Sequence, residues 1–137
     1  MEDLTVIVVD DDRDSLEVFA EYLTMKDLKV VAKANNGKSA VEIYEKFKPD
    51  VVLLDVIMPG YDGFYAIEHI RRINPDAKII FVTAATAGTT QERIFRSDAS
   101  AIVFKPFEME HLIKTIEDVK NGKKVIPRDV RSIRRQS

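Results

Sequence analysis

Five short apolar runs alternate along the chain with stretches of helical periodicity, and this alternation limits the fold more than any other feature. The runs are rich in β-branched residues and lie at Leu4–Val9, Lys29–Ala34, Val51–Leu54, Lys78–Val82 and Ala101–Phe104. Several are apolar at consecutive positions, which is typical of strands covered on both faces in a parallel sheet. Helices between such strands form right-handed crossovers. The sequence therefore predicts an α/β fold, a doubly wound five-stranded parallel sheet with helices on both faces.

The intervals between the runs carry apolar stripes of different strength. The clearest stripes predict helices over Ser39–Phe47, Gly63–Ile73 and Met109–Lys120. A helix also follows the first strand, and Asp14 with Glu17 is predicted to form its capping box. The fourth helix is the weakest, because Ile94 and Phe95 are its only large apolar residues.

The composition excludes several classes of protein. With 137 residues, of which 45% are hydrophobic, the chain can form one domain with a core of its own. There is no cysteine, which excludes disulfides, thiolate chemistry and cysteine-based zinc sites. The start Met1-Glu2-Asp3 is acidic, unlike a signal peptide, and no apolar run has membrane-spanning length. We therefore expect a cytoplasmic protein without membrane contact.

Charge is distributed unevenly between the body of the chain and its end. Residues 1–119 carry 14 basic and 22 acidic side chains, whereas seven basic residues and one acidic residue follow from Lys120 onward. An acidic body argues against direct DNA binding. No strand or helix pattern follows Gly122, so we predict one domain over 1–122 and a basic, flexible tail over 123–137. That tail is too short for an effector domain; it is a linker, a contact for an acidic partner, or the stub of a further domain.

Residues of complementary chemistry follow the predicted strands, where sites form in doubly wound sheets. Asp10 and Asp11 follow the first strand and Asp55 follows the third, while Thr83 follows the fourth and Lys105 the fifth. Carboxylates packed together favour a hard divalent cation, and a carboxylate can also attack a phosphoryl group. A lysine and a hydroxyl then stabilise the phosphoryl oxygens. In a consistent arrangement Asp11 binds the metal directly, Asp10 binds it through water, and Asp55 is the acceptor.

Four motifs at these strand ends carry a resemblance to a known family. They are Val8-Val9-Asp10-Asp11, the run Asp55-Val56-Ile57-Met58-Pro59-Gly60-Tyr61-Asp62-Gly63, Val82-Thr83-Ala84 and Lys105-Pro106-Phe107. Over about residues 4–120 the chain resembles the receiver domain of two-component response regulators, and among these the stand-alone, chemotaxis-type regulators. The resemblance implies the flavodoxin-like receiver fold.

The resemblance also implies a function and the residues that perform it. A sensor histidine kinase or a histidine phosphotransfer protein would transfer a phosphoryl group to Asp55 in a reaction that needs Mg²⁺ or Mn²⁺. The carbonyl of Ile57 would join Asp10, Asp11 and Asp55 around the metal, and the Lys105–Pro106 bond would be cis. Such a protein is a phosphoacceptor switch rather than an enzyme. It would signal through a partner protein at the face of the fourth helix, fifth strand and fifth helix.

One position departs from the family pattern. Many receivers carry Tyr or Phe three positions before the lysine, and rotation of that ring reports phosphorylation; here the residue is Ile102. The predicted switch pair is therefore Thr83 with Ile102, and how it would work without an aromatic ring is open. Phe104, two residues further, is expected on the same face of the strand.

Two alternative functions stay open at this point. A pseudo-receiver would bind partners without being phosphorylated. The presence of Ile102 in place of an aromatic residue is compatible with that alternative. A phosphatase similar to the haloacid dehalogenases would use the pair Asp10 and Asp12, but Asp14 stands where that family has Thr or Val. We otherwise expect Asp12 to be a loop or cap residue.

Overall fold

A computed structural model of the chain describes residues 4–84 and 88–127. Strands and helices alternate through them in the order β1 (Thr5–Val9), α1 (Arg13–Met25), β2 (Lys29–Ala34), α2 (Gly37–Phe47), β3 (Val51–Leu54), α3 (Gly63–Ile73), β4 (Ile79–Thr83), α4 (Gly88–Arg96), β5 (Ala101–Phe104) and α5 (Met109–Lys120). The predicted alternation is confirmed, and α3 and α5 have the predicted bounds. Strands β1 and β4 begin one residue later than predicted.

The five strands form one parallel sheet with the order β2-β1-β3-β4-β5. The chain moves outward from β1 to β2 and then crosses to β3 on the other side of β1. The carboxyl ends of β1 and β3 therefore flank the point at which the strand order reverses, where doubly wound sheets bind ligands. Val9 pairs with Leu54, so the residues that follow them, Asp10 and Asp55, leave the sheet at the same level.

Two hydrophobic layers cover the two faces of the sheet. Because side chains alternate along a strand, Phe81 and Ile102 face α2, α3 and α4, whereas Ile80 and Val82 face α1 and α5. The central strands β3 and β4 are buried at every position, which explains their continuous apolar sequence. Helices therefore lie on both faces, as predicted.

The first two helices begin where short polar side chains cap them. The carboxylate of Asp12 accepts hydrogen bonds from the Asp14 N–H at 3.1 Å and from the Ser15 hydroxyl at 2.9 Å. The predicted Asp14–Glu17 capping box is therefore wrong, and the expectation that Asp12 is a cap is confirmed. In α2, Asn36 accepts from the Ser39 N–H at 2.9 Å, so the helix begins two residues before the predicted start.

Helix α4 is the shortest and least anchored of the five. Only Gln91 and Ile94 of its nine residues are buried. The amide nitrogen Nε2 of Gln91 is buried without an acceptor in the described part of the chain. A buried donor without a partner destabilises the helix, so α4 can be displaced more easily than its neighbours.

The chain continues along the sheet edge after α5. Gly122 ends the helix with a φ of +88°, and Val125 then forms a parallel bridge with Ala101. Its N–H donates to the Ser100 carbonyl at 2.9 Å, and its carbonyl accepts from the Ile102 N–H at 3.2 Å. The packed body thus extends past the predicted boundary at Gly122, and residues 128–137 of the predicted tail lie outside the described residues. Among the helices described, none has the length and apolar character needed to cross a membrane.

Candidate functional site

Three carboxylates converge at the switch point of the sheet. Asp10 and Asp11 follow β1 and Asp55 follows β3, and each offers an oxygen within 4.8 Å of the other two. The backbone fixes this arrangement, because the Asp55 N–H donates to the Val9 carbonyl at 3.0 Å. The structure therefore brings together the three carboxylates that the sequence assigned to one metal site.

The three carboxylates differ in burial and in hydrogen bonding. Asp10 is only 2% exposed, and its Oδ1 accepts from the Asp12 N–H at 2.9 Å. The side chain of Asp55 is 12% exposed, and its Oδ1 accepts from the Val56 N–H at 2.7 Å. Asp11 is exposed to solvent. Two carboxylates are thus held in fixed orientations, and the third can reach a ligand from the solvent side.

Lys105 joins this cluster from the end of β5. Its Nζ lies 3.3 Å from Oδ2 of Asp10 and 3.5 Å from Oδ2 of Asp55. The ammonium also lies 5.8 Å from the centre of the Phe19 ring on α1, and the Lys105–Pro106 bond is cis as expected from the resemblance. Phe19 has a role here that the sequence did not reveal, because nothing in the sequence around an apolar helix residue indicates contact with a lysine that follows a distant strand.

The electrostatics of the site disfavour the ionised form of Asp55. Burial raises the pKa of its carboxyl, the Lys105 ammonium lowers it, and the Asp10 carboxylate raises it further, so that the pKa lies above its ordinary value. One ammonium faces three carboxylates in the cluster. A divalent cation would offset the remaining negative charge, and three carboxylate ligands fit a hard cation that binds oxygen.

The loop after β3 is held against Asp55 by Gly63. Its N–H donates to the Val56 carbonyl at 2.8 Å, and a Cβ at this position would lie 2.7 Å from the Cα of Val56. Any larger residue would therefore displace the backbone beside Asp55. Asp62 caps α3 by accepting from the Tyr65 N–H at 2.9 Å, in agreement with the turn and cap roles expected for Asp62 and Gly63.

Comparison with known proteins identifies the family that shares this arrangement. The family model described as the response regulator receiver domain matches residues 6–117. The chain belongs to this family. The receiver domain is 32% identical over 114 residues to the chemotaxis protein CheY of Thermotoga maritima, an alignment that covers 83% of this chain and 95% of that protein.

Solved structures agree with the fold of the receiver domain. A two-component response regulator of the LuxR family from Aurantimonas sp. SI85-9A1 superposes with a TM-score of 0.85 at 26% identity, covering 97% of this chain and 98% of that one. The isolated REC domain of RcsB from Salmonella enterica serovar Typhimurium, solved in the presence of phosphomimetic BeF₃⁻, has a TM-score of 0.81 at 25% identity. That match covers 95% of this chain and 97% of the other. The flavodoxin-like receiver fold predicted from the sequence is confirmed.

The receiver domain places Thr83 beside Phe104 rather than beside Ile102. Thr83 is fully buried at the end of β4, and the register of the sheet pairs it with Phe104. Ile102 is also buried, but it pairs with Phe81, two residues before Thr83 on β4. Phe104 in turn lies 6.1 Å from Phe95 of α4, measured between ring centres. The aromatic residue nearest to Thr83 in the sheet register is thus on β5 itself.

Ile57 and Asp12 complete the set of residues named from the sequence. Ile57 lies in the loop two residues after Asp55, and its carbonyl accepts no hydrogen bond from the described residues. The Asp12 carboxylate is engaged at the N-terminus of α1, outside the group of three metal-site carboxylates. The pair Asp10 and Asp12 therefore does not form a joint site of the kind that the phosphatase alternative requires.

Proposed function

We propose that this receiver domain is a phosphorylation switch that accepts a phosphoryl group on Asp55. The observation that carries the proposal is the position of the Lys105 ammonium, which bridges Asp10 and Asp55 within a cluster of three carboxylates. The donor would be the phosphohistidine of a sensor histidine kinase or of a histidine phosphotransfer protein. With such partners the protein would act in the cytoplasm.

The transfer uses side chains that are already oriented. An oxygen of Asp55 forms a bond to phosphorus as the N–P bond of the donor phosphohistidine breaks, and the released imidazole takes up a proton. The Val56 N–H fixes the rotation of the Asp55 carboxylate, which favours one approach to the phosphorus. Lys105 neutralises the phosphoryl oxygens, and the hydroxyl of Thr83 donates a hydrogen bond to one of them. Asp55 itself is modified, so the protein is a switch and not an enzyme with turnover.

The cation of this site would be Mg²⁺ or Mn²⁺. Asp10, Asp11, Asp55 and the carbonyl of Ile57 would hold it, and the exposed Asp11 supplies a ligand on the solvent side. The oxygen donors suit both ions. When bound, the cation offsets negative charge on the carboxylates and on the phosphoryl oxygens.

The output surface of the switch is proposed at α4, β5 and α5. Phosphorylation would shift a two-state equilibrium in this region and change the affinity for a downstream partner protein. The weak anchoring of α4 and the contact of Phe95 with Phe104 support this surface. Direct DNA binding is not part of the proposal, because residues 1–119 are predominantly acidic.

To test the proposal, the protein is incubated with acetyl phosphate and Mg²⁺, and the mass of the intact protein is measured by mass spectrometry. We expect one added phosphoryl group on the wild type and on the control Asp76→Asn, which alters an exposed carboxylate outside the cluster. Asp55→Asn and EDTA should each abolish labelling. A folded wild type that is labelled neither by acetyl phosphate nor by phosphorylated histidine kinases would instead support the pseudo-receiver, the alternative to which Ile102 points.

A further inference from the structure

Arginine is concentrated in one groove of the receiver domain. Five arginines lie in the described ranges 4–84 and 88–127, and four of them line a groove of about 670 Å³ between α3 and α4. These four are Arg71 and Arg72 on α3 and Arg93 and Arg96 on α4. The volume falls within the range of about 300–1,000 Å³ that is usual for ligand pockets. No local sequence pattern indicates this cluster, because the two helices bring its halves together.

The groove has more positive charge than its own carboxylates balance. Arg72 pairs with Glu68 at 2.6 Å, and Arg71 pairs with Asp98 at 3.3 Å. Asp98 also pairs with Lys124. Arg93 and Arg96 are exposed, and in the described part of the chain neither has a carboxylate within ion-pair distance. The surplus is local, since residues 1–119 together carry a net charge of −8.

The base of the groove is apolar and aromatic. The guanidinium of Arg93 lies 3.9 Å from the centre of the Phe64 ring, and the buried Ile67 lines the wall beside it. A stacked guanidinium is held flat and keeps its N–H groups directed outward for bidentate contact with a carboxylate. The Nε of Arg71 is buried without an acceptor among the described residues.

We propose that the groove between α3 and α4 binds an acidic segment of a partner protein. Its carboxylates would pair with Arg93 and Arg96, and an apolar side chain of the same segment would pack on Phe64. A nucleic acid fits less well, because a long polyanion would run from the groove onto the acidic surface of the domain. The inference does not depend on phosphorylation of Asp55.

Selection from an unbiased peptide library tests the proposal on the full chain. Phage-displayed random 12-residue peptides are selected on the wild type, and the strongest binder is labelled and titrated by fluorescence polarisation. We expect enrichment of sequences that combine Asp and Glu with large apolar residues. Binding should weaken at least tenfold in Arg93→Glu/Arg96→Glu, and in the same direction in the milder Arg93→Gln/Arg96→Gln. The control Lys29→Glu/Lys46→Glu, which makes the same charge change at two exposed lysines outside the groove and the proposed output surface, should bind like the wild type.

Several results would overturn the proposal. Peptides without acidic enrichment, or peptides that bind both arginine variants as tightly as the wild type, would show that the groove is not the site. A labelled single-stranded DNA oligonucleotide that binds the wild type more tightly than the peptide, and loses binding in the arginine variants, would assign the groove to nucleic acid. Sedimentation of the wild type as a dimer and of the variants as monomers would assign it to a second copy of the chain. Labelling by acetyl phosphate is measured in parallel and should be unchanged in the variants, so a failure of the phosphorylation proposal would be seen separately.

Discussion

Replacing Lys105 by methionine removes the ammonium that lies 3.3 Å from Asp10 and 3.5 Å from Asp55. Methionine keeps most of the apolar length of the side chain and its position near Phe19, but it leaves the three carboxylates of the cluster without compensation. Asp10 is 2% exposed and cannot exchange the lost partner for bulk water. The substitution therefore isolates the electrostatic role of Lys105 with little change in packing.

The size of the effect follows from the burial of the partners. Removing one member of a fully buried ion pair destabilises a protein by about 3–5 kcal/mol, whereas an exposed pair contributes about 0–1 kcal/mol. The Lys105 side chain is 26% exposed, and the carboxylates of Asp10 and Asp55 are mostly buried. We therefore expect Lys105→Met to lower the free energy of unfolding by about 2 kcal/mol in metal-free buffer, between those two limits.

The affinity for Mg²⁺ should change in the opposite direction. The ammonium and the cation neutralise the same carboxylates. The presence of one therefore reduces the electrostatic stabilisation that the other provides. Lys105→Met should therefore bind Mg²⁺ more tightly than the wild type. A difference of about 1.4 kcal/mol in binding free energy corresponds to a tenfold lower Kd. Saturating Mg²⁺ should then restore most of the stability that the variant loses in EDTA.

Urea unfolding in EDTA measures the loss of stability, and urea unfolding at increasing Mg²⁺ concentrations measures how far Mg²⁺ restores it. Isothermal titration calorimetry measures the Mg²⁺ affinity independently. The control is Lys114→Met, because Lys114 pairs with Asp118 at 3.6 Å but its side chain is 72% exposed. That variant should lose at most about 0.5 kcal/mol and keep the wild-type Mg²⁺ affinity. Equal or weaker Mg²⁺ binding by Lys105→Met, or a loss of stability that persists at saturating Mg²⁺, would refute the reasoning.

Three further predictions concern Asp55, Gly63 and Gln91. The pKa of Asp55 is raised above 3.8 by burial, so the native state binds this proton more tightly than the unfolded chain and metal-free stability falls as pH rises from 3.8 through the native pKa. Asp55→Asn should therefore exceed the wild type in stability by on the order of 1 kcal/mol at neutral pH in EDTA, and urea titrations showing the same excess at every pH would contradict this. Gly63→Ala should lower the free energy of unfolding by about 2 kcal/mol, because the added Cβ meets the Val56 backbone. The control is Gly60→Ala, where an added Cβ has open space but the backbone has a φ of +76°. An equal loss of stability in the two variants would exclude the steric explanation. Gln91→Met should stabilise by about 1 kcal/mol, because it removes a buried amide that has no acceptor in the described chain, and a lower thermal midpoint would count against this.

Local sequence signals predicted the elements, and the site followed from them because parallel strands bring their carboxyl ends to one edge of the sheet. The apolar runs and helical stripes gave the strand–helix alternation, and the residues that end the strands gave the site. The Asp14–Glu17 capping box was predicted wrongly because Asp10, Asp11, Asp12 and Asp14 are all suitable caps by residue type. Only the burial of Asp10 against Lys105 and the end of β1 at Val9 decide that Asp12 caps the helix.

Features that depend on distant contacts could not be predicted in this way. Val125 belongs to an apolar segment too short to indicate a strand, and its place is fixed by backbone pairing with the outer edge of β5 at Ala101. Asp98 has a φ of +59° in the turn before β5, where it pairs with Arg71 and Lys124 from other parts of the chain. These residues resemble ordinary surface residues in the sequence, because their partners are known only once the fold has formed.

The sheet register gives a physical reason why the proposed switch need not depend on an aromatic residue at position 102. Thr83 pairs with Phe104, and Phe104 contacts Phe95 of α4, so a displacement at the end of β4 reaches α4 through two aromatic rings. Ile102 lies one step further from the site, beside Phe81, in a layer that is buried in the core. Cores resist deformation more than a short helix that buries two residues. The pairing of Thr83 with Phe104 and the contact of Phe104 with Phe95 therefore connect the end of β4 to the least anchored helix, so the proposed switch has this connection without an aromatic side chain at position 102.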